Sequence, residues 1–203
     1  MVLRGENVII FNTFAKNNYK EYSNVNNKIS REIKSGKLHR IIKGLYETDP
    51  MTPGYLLAST IYGPSYISFE YALSYYGLIP ERVTTITCAT FDKKKKKEYH
   101  TDFGVFTYRD VPTAVYSEEI LLKIKDNYSY QLATPEKALC DKLYTLSPLS
   151  NYANLENMLF NDLRIDEEIF NKLDVDKISK LSKLYHSRNV VLLARYMRKN
   201  LNK

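Results

Sequence analysis

The spacing of apolar residues changes along this chain, and the change limits the folds that it can adopt. Val25, Ile29 and Ile33 recur at the interval of a helix, and a second helical set lies between residues 69 and 76. Residues 83–91 instead alternate apolar side chains with threonine, which is typical of a strand. Short strands interspersed with helices predict an α+β fold.

The length of 203 residues suits one large domain or two small ones. Apolar runs are short, as at residues 8–11 and 190–194, and none approaches the roughly 18 residues that cross a bilayer. The N-terminal sequence MVLRGENVIIFNTF also lacks the apolar core of a signal peptide. We therefore expect a cytoplasmic protein without a membrane partner.

Positive charge is concentrated at the N-terminal end. Residues 1–46 contain nine Lys or Arg and three acidic residues, a net charge of +6, whereas the whole chain has +7. A basic unit followed by a nearly neutral body is typical of a DNA-binding head on another domain. A basic surface without a ligand is the alternative.

The basic segment has the pattern of a small helical unit followed by a hairpin. We predict a first amphipathic helix at 4–16, a short helix at 19–22, and a third helix at 25–34 that Ser23 or Asn24 caps. Two apolar runs, at 38–42 and 45–48, flank Lys43-Gly44 and predict a β-hairpin. This order predicts a winged helix-turn-helix over residues 1–50, followed by an α+β domain at 51–203 with a helical C-terminus.

In a winged helix-turn-helix the third helix enters the major groove of double-stranded DNA. Asn26 and Asn27 can pair with adenine, Arg31 with guanine, and Lys28 and Lys34 with phosphates. The hairpin would bring its own basic residues to the flanking backbone. The predicted DNA-binding residues are Asn26, Asn27, Lys28, Ser30, Arg31, Lys34, Lys37, Arg40 and Lys43. A solvated polar face on a small helical domain is the alternative interpretation.

Three sequence blocks carry a family resemblance. They are GKLHRIIKGLY at 36–46, PSYISFEYALSYYGLIP at 64–80 and ATPEKALCDKLY at 133–144. Their order and spacing resemble the type IV abortive-infection antitoxins, the AbiEi family, from about residue 5 to 145. Residues 151–203 show no such resemblance.

The resemblance implies an antitoxin of a type IV toxin-antitoxin system that takes part in phage defence. In that family the winged helix represses its own operon, at operator DNA that we expect to contain inverted repeats. The following domain counters a nucleotidyltransferase toxin that is encoded next to it and is not bound directly.

Residues 51–203 predict further elements. We expect helices at 53–62, 68–77 and 134–146, a strand at 83–91 that forms a hairpin with 99–108, and a strand at 128–133. Helices follow from residue 154, the last at 190–201. The lysines of 93–97 would lie at the hairpin tip, as a solvated loop or a second phosphate contact.

No catalytic, metal-binding or cofactor-binding motif is present in the sequence. The histidines are far apart, and Cys88 and Cys140 are expected to be buried apolar residues. A nuclease could use Asp92, Glu98 and Asp102 beside Lys94 or Lys96, or it could use Glu136, Asp141 and Lys142. We expect Asp141 to form a structural salt bridge or to cap a loop instead. The alternatives to an antitoxin are a winged-helix regulator unrelated to a toxin and a nuclease-like enzyme with a DNA-binding head.

Overall fold

The computed structural model describes residues 9–11, 17 and 19–201, and its elements alternate between short strands and helices. The strands are β1 (Ile9–Phe11), β2 (His39–Ile42), β3 (Leu45–Glu47), β4 (Tyr66–Ile67), β5 (Ile86–Thr90), β6 (Lys97–Thr101), β7 (Gly104–Asp110), β8 (Ile120–Lys125) and β9 (Tyr128–Ala133). The α-helices are α1 (Val25–Lys34), α2 (Ala58–Ile61), α3 (Phe69–Tyr75), α4 (Pro135–Tyr144), α5 (Tyr152–Glu156), α6 (Glu167–Phe170), α7 (Val175–Tyr185) and α8 (Arg188–Leu201). The protein is therefore mixed α+β, as the sequence predicts.

A small three-stranded antiparallel sheet has the order β1-β3-β2 and is accompanied by α1. Ile10, Ile29, Leu38 and Tyr46 form a hydrophobic cluster of their own in this part of the chain. The predicted hairpin is confirmed, and Gly44 provides the positive φ of +84° at its turn.

Two of the three predicted N-terminal helices need correction. Residues 9–11 form a strand paired with β3, and the rest of the helix predicted at 4–16 lies outside the described residues. Residues 19–22 form turns rather than a helix. The apolar spacing around Ile9 and Phe11 fits both periods, and pairing with β3 decides for the strand.

A six-stranded mixed sheet forms the centre of the body, with the order β6-β7-β5-β4-β9-β8. The predicted hairpin between 83–91 and 99–108 is wrong. The second segment instead contains two strands, β6 and β7, which are antiparallel to each other, and β7 lies parallel to β5. Gly104, with φ +124°, begins β7 after the turn that local patterning did not reveal.

The C-terminal helices pack over the same core. Val190, Leu193 and Met197 of α8 are buried, as predicted, although the helix begins two residues before Val190. Cys88 and Cys140 are buried and free, as expected. No helix among the described residues is long and apolar enough to span a membrane.

The hairpin contributes to two cores at once. Tyr46 belongs to the small cluster, whereas Ile41 and Leu45 belong to the main core of the body. Glu47 is fully buried and accepts a hydrogen bond of 2.7 Å from the Tyr128 hydroxyl on β9. Residues on both sides of position 50 therefore share one interior.

Candidate nucleic-acid interface

The position of α1 follows from local chemistry at both ends. The Asn24 side chain caps the helix by accepting from the Asn27 backbone N–H at 3.0 Å. At the other end Gly36 adopts a φ of +72°, which a glycine accommodates without strain. The helix bounds of Val25–Lys34 match the sequence prediction.

One side of α1 carries the exposed residues. Asn26, Ser30 and Lys34 lie four residues apart in one row along the helix, and Asn27 and Arg31 lie in the adjacent row. All five are exposed, and within the described part of the chain their side chains have no hydrogen-bond or ion-pair partner of the protein. This exposed polar ridge, the five residues just named, is free to contact a ligand.

Lys28 is placed differently from its neighbours. Its ammonium group lies 2.5 Å from the Glu32 carboxylate and over the rings of Tyr19 and Tyr22, at 5.6 and 4.9 Å from their centroids. The hydrogen bond to Glu32 raises the pKa of Lys28, because it favours the charged form. Lys28 is thus held at the flank of the exposed ridge rather than on it.

Sequence reasoning missed Glu32, the one acidic residue of α1. It is 8% exposed, and its carboxylate also lies 3.9 Å from the ammonium group of Lys37, another predicted DNA-binding residue. The i,i+4 spacing of Lys28 and Glu32 is visible in the sequence and could have indicated the pair.

The hairpin presents two of the predicted basic residues. Arg40 lies on β2 and Lys43 at the turn, and both are exposed. The β2–β3 register shifts between Arg40 and Ile42, so the strand is irregular just before the turn. The hairpin and the exposed ridge of α1 are joined by only the short segment 35–38.

The lysines of 93–97 do not form a hairpin tip. They lie in the connection from β5 to β6, which passes the end of β7, and Lys97 begins β6. The Lys93 Nζ donates to the Gly63 carbonyl at 3.0 Å, and the Lys94 backbone N–H donates to Asp110 at 2.6 Å. Lys95 and Lys96 remain exposed. The strand β6, which follows this connection, lies against β2 of the hairpin.

A buried polar centre surrounds the Asp141 carboxylate on α4. It accepts hydrogen bonds from the Tyr66 hydroxyl at 3.0 Å, the Ser68 hydroxyl at 2.6 Å and the Tyr185 hydroxyl at 2.5 Å. The Lys137 ammonium group lies 3.2 Å away and donates to the Tyr185 hydroxyl at 2.7 Å. Asp141 and Lys137 are both fully buried, so this centre has no exposed charge.

The surroundings change the acidities of these groups. Burial raises the pKa of Tyr66 and of Tyr185 well above the ordinary value, and the Asp141 carboxylate raises both further. Burial also lowers the pKa of Lys137, against the opposing effect of Asp141. The 3.2 Å contact between Lys137 and Asp141 confirms the structural salt bridge expected of Asp141.

The carboxylates considered for a nuclease do not gather at an open site. Asp141 is inaccessible, Glu136 accepts from the Asp174 backbone N–H at 3.1 Å, and the Lys142 ammonium group is paired with Glu70 at 2.7 Å. Glu98 instead lies 2.6 Å from the His100 ring. Within the described ranges no group of three His, Cys, Asp or Glu residues could hold a metal ion.

The three blocks that carry the family resemblance meet in space. Ser68 of the second block donates to Asp141 of the third, and Leu45 of the first packs in the same core. No model of a known protein family matches the chain, and no curated protein matches it either.

Proposed function

We propose that this protein is a DNA-binding autorepressor that reads its operator through α1 and contacts the flanking backbone through the β2–β3 hairpin. The observation that carries the proposal is the exposed polar ridge of α1, whose amide, hydroxyl and guanidinium groups have no partner among the described residues. These side-chain types form the common specific contacts to base edges in the major groove.

The arrangement around α1 supports a winged helix. A helix that precedes a β-hairpin, with a third strand completing the sheet, is compatible with α1 as recognition helix and the hairpin as wing. The charge of +6 over residues 1–46 supplies the attraction to phosphate that such binding needs.

By the resemblance to the AbiEi family, we further propose that the protein is the antitoxin of a type IV system. The body would counter a nucleotidyltransferase toxin without binding it. A neighbouring reading frame for such a toxin would support this assignment, and its absence would favour a regulator unrelated to a toxin.

Binding to the DNA upstream of the protein's own gene tests the first part. We expect Arg31→Ala to weaken binding by about 1–3 kcal/mol and to relax specificity at one base position. Arg195→Ala is a matched control, because it removes the same charge from an exposed position of α8 and should leave binding unchanged. Lys43→Ala should weaken binding to all sequences alike and reduce the salt slope by about 1. If Arg31→Ala, Asn27→Ala and Lys43→Ala all bind the operator as tightly as the wild type does, the assignment of α1 as the recognition helix is wrong.

Expression from a foreign promoter beside the toxin tests the second part. The Arg31→Ala variant should lose repression and keep protection, since its side chain lies outside the core of the body. A folded variant that loses both activities would show that protection requires DNA binding. Metal-dependent cleavage of DNA by the purified protein would replace this proposal with the nuclease.

A further inference from the structure

The two edges of the six-stranded sheet have opposite character. The strand β6 forms one edge and carries charged or polar side chains at Lys97, Glu98 and His100, which discourage pairing with another chain. The strand β8 forms the other edge, where Leu122 is 67% exposed and Ile124 is 78% exposed. An apolar edge strand of this kind favours pairing with another strand.

The backbone groups that are free at this edge can be identified from the ladder. The Thr134 N–H donates to the Glu119 carbonyl at 2.9 Å, and these residues lie opposite each other in the β8–β9 register. Hydrogen-bonded pairs alternate along an antiparallel ladder, so residues 121, 123 and 125 bond to β9. The N–H and C=O groups of Ile120, Leu122 and Ile124 therefore point away from the sheet.

The side chains of β8 divide in the same way. Ile120, Leu122 and Ile124 share one face, beside the exposed Ser129 and Gln131 of β9. Lys123 and Lys125 lie on the opposite face, where the Lys125 ammonium group donates to the Tyr55 hydroxyl at 2.9 Å. The two lysines that could protect the edge are thus directed away from its apolar face.

We propose that β8 pairs antiparallel with β8 of a second copy of this protein, about a two-fold axis at Leu122. In this register the exposed Leu122 and Ile124 oppose apolar residues of the second copy, and no like charges meet within β8. Leu122 then faces Leu122 of the second copy, Ile120 faces Ile124, and Leu121 faces Lys123.

Neighbouring registers place unfavourable groups opposite one another. An axis at Lys123 sets two lysines face to face, and an axis at Ile124 sets Lys123 opposite Lys125 twice. An axis at Leu121 pairs Ile120 with Leu122 and Lys123 with Glu119, but it leaves the exposed Ile124 opposite Glu118, outside β8. Like charges directly opposite on a ladder are destabilising, so the axis at Leu122 is favoured. A self-complementary strand argues for a second copy rather than for a different protein.

The contact is small. Two paired six-residue strands bury much less than the roughly 1,200 Å² of a stable interface, so we expect a dimer that dissociates on dilution. Sedimentation of the full chain without DNA, over a series of concentrations, should show a reversible monomer–dimer equilibrium. Leu122→Lys should raise the dissociation constant at least about tenfold, because two lysines then meet at the axis.

A matched substitution controls for added charge. His100→Lys places a lysine on the exposed edge strand β6 and should leave the dimer unchanged. A comparable loss of dimer in both variants would overturn the assignment to β8.

Cysteine cross-linking tests the register. Opposed residues of a hydrogen-bonded antiparallel pair have Cα atoms about 5.5 Å apart, within the range of a disulfide. Leu122→Cys should therefore form a disulfide-linked dimer on mild oxidation, whereas Ile124→Cys should not, and the native cysteines are buried. A cross-link through residue 124 alone would overturn the register. A chain that stays monomeric and does not cross-link would overturn the proposal in favour of a strand from a different protein.

Discussion

Two α-helices of this protein, α1 and α4, each contain a lysine that is followed four residues later by a carboxylate, and the surroundings of the two pairs differ. On α1, Lys28 and Glu32 form a pair at the flank of the exposed ridge, beside the rings of Tyr19 and Tyr22. On α4, Lys137 and Asp141 form a pair with no exposed surface, next to the rings of Tyr66 and Tyr185.

The two pairs differ in how their neighbouring tyrosines interact with them. Around Asp141 both hydroxyls donate to the carboxylate, and a serine donates as well, so the buried charge is fully hydrogen-bonded. Around Lys28 only the faces of the rings are used. The same spacing therefore gives a fully buried centre on α4 and a partly buried pair on α1, whose lysine still reaches solvent.

The largest effect should come from removing the buried carboxylate. Asp141→Ala leaves the Lys137 ammonium group buried without its counter-charge, and we expect a loss of about 3–5 kcal/mol in the free energy of unfolding. Urea denaturation measures this loss.

A double variant separates the effect of the unpaired buried charge from the effect of the lost side-chain volume. Lys137→Met with Asp141→Leu removes both charges together, so it should be more stable than Asp141→Ala, although the Tyr66, Ser68 and Tyr185 hydroxyls still lack their acceptor. If the double variant is no more stable than Asp141→Ala, the buried charge is not the cause.

Alkaline pH should destabilise the buried centre around Asp141. The pKa values of Tyr66 and Tyr185 are raised in the folded protein, so the unfolded chain releases these protons at a lower pH than the folded protein does. Their contribution to stability is complete below about pH 10 and is lost as the pH rises further. The lowered pKa of Lys137 makes the folded protein more stable as the pH rises, but this effect of one lysine is smaller than the combined effect of the tyrosines.

Unfolding free energies measured at a series of pH values test this expectation. The wild type should lose stability steeply above about pH 10, and Tyr185→Phe should show a shallower loss. An identical slope in both proteins would show that Tyr185 does not contribute.

At neutral pH, Tyr185→Phe should have an intermediate effect. It removes hydrogen bonds to both Lys137 and Asp141, at a cost of about 1–3 kcal/mol. Tyr22→Phe is the matched control, because the Tyr22 ring packs beside Lys28 and its hydroxyl donates to no other described residue. We expect the urea midpoint of that control to remain at the wild-type value.

The smallest effect on stability should come from the surface pair, where the change appears in DNA binding. Glu32→Gln frees the Lys28 and Lys37 ammonium groups from their counter-charge. We expect a nearly unchanged urea midpoint, tighter binding to DNA, and a salt slope steeper by about 0.9 for each additional phosphate that a lysine neutralises. An unchanged slope would place these lysines outside the interface.

Elements with strong local signals could be predicted from the sequence. The helix α1 has both an apolar stripe and a cap, and β9 coincides with the predicted strand at 128–133. The helix prediction over β1 is wrong because three residues do not distinguish the two periods, and the pairing partner of β1 is about 35 residues away. The turn before Gly104 and the parallel pairing of β7 with β5 likewise depend on tertiary contacts.

The functional candidates also differ in how far the sequence predicts them. The exposed ridge of α1 could be predicted, because helical spacing alone places its residues on one side. The centre around Asp141 could not, because it joins residues 66–68, 137–141 and 185, which are distant in sequence. Only the salt bridge within α4 follows from spacing.

The strand β3 separates two hydrophobic interiors, since Tyr46 packs in the small cluster while Leu45 packs in the main core of the body. A cut of the chain near residue 50 would therefore open both interiors. It would expose the buried side chains of Ile41 and Leu45 to solvent, and it would remove the Tyr128 hydroxyl that donates a hydrogen bond to Glu47. The proposed repression and protection are therefore best separated by single surface substitutions, because deleting residues 1–50 would also remove Ile41 and Leu45 from the main core.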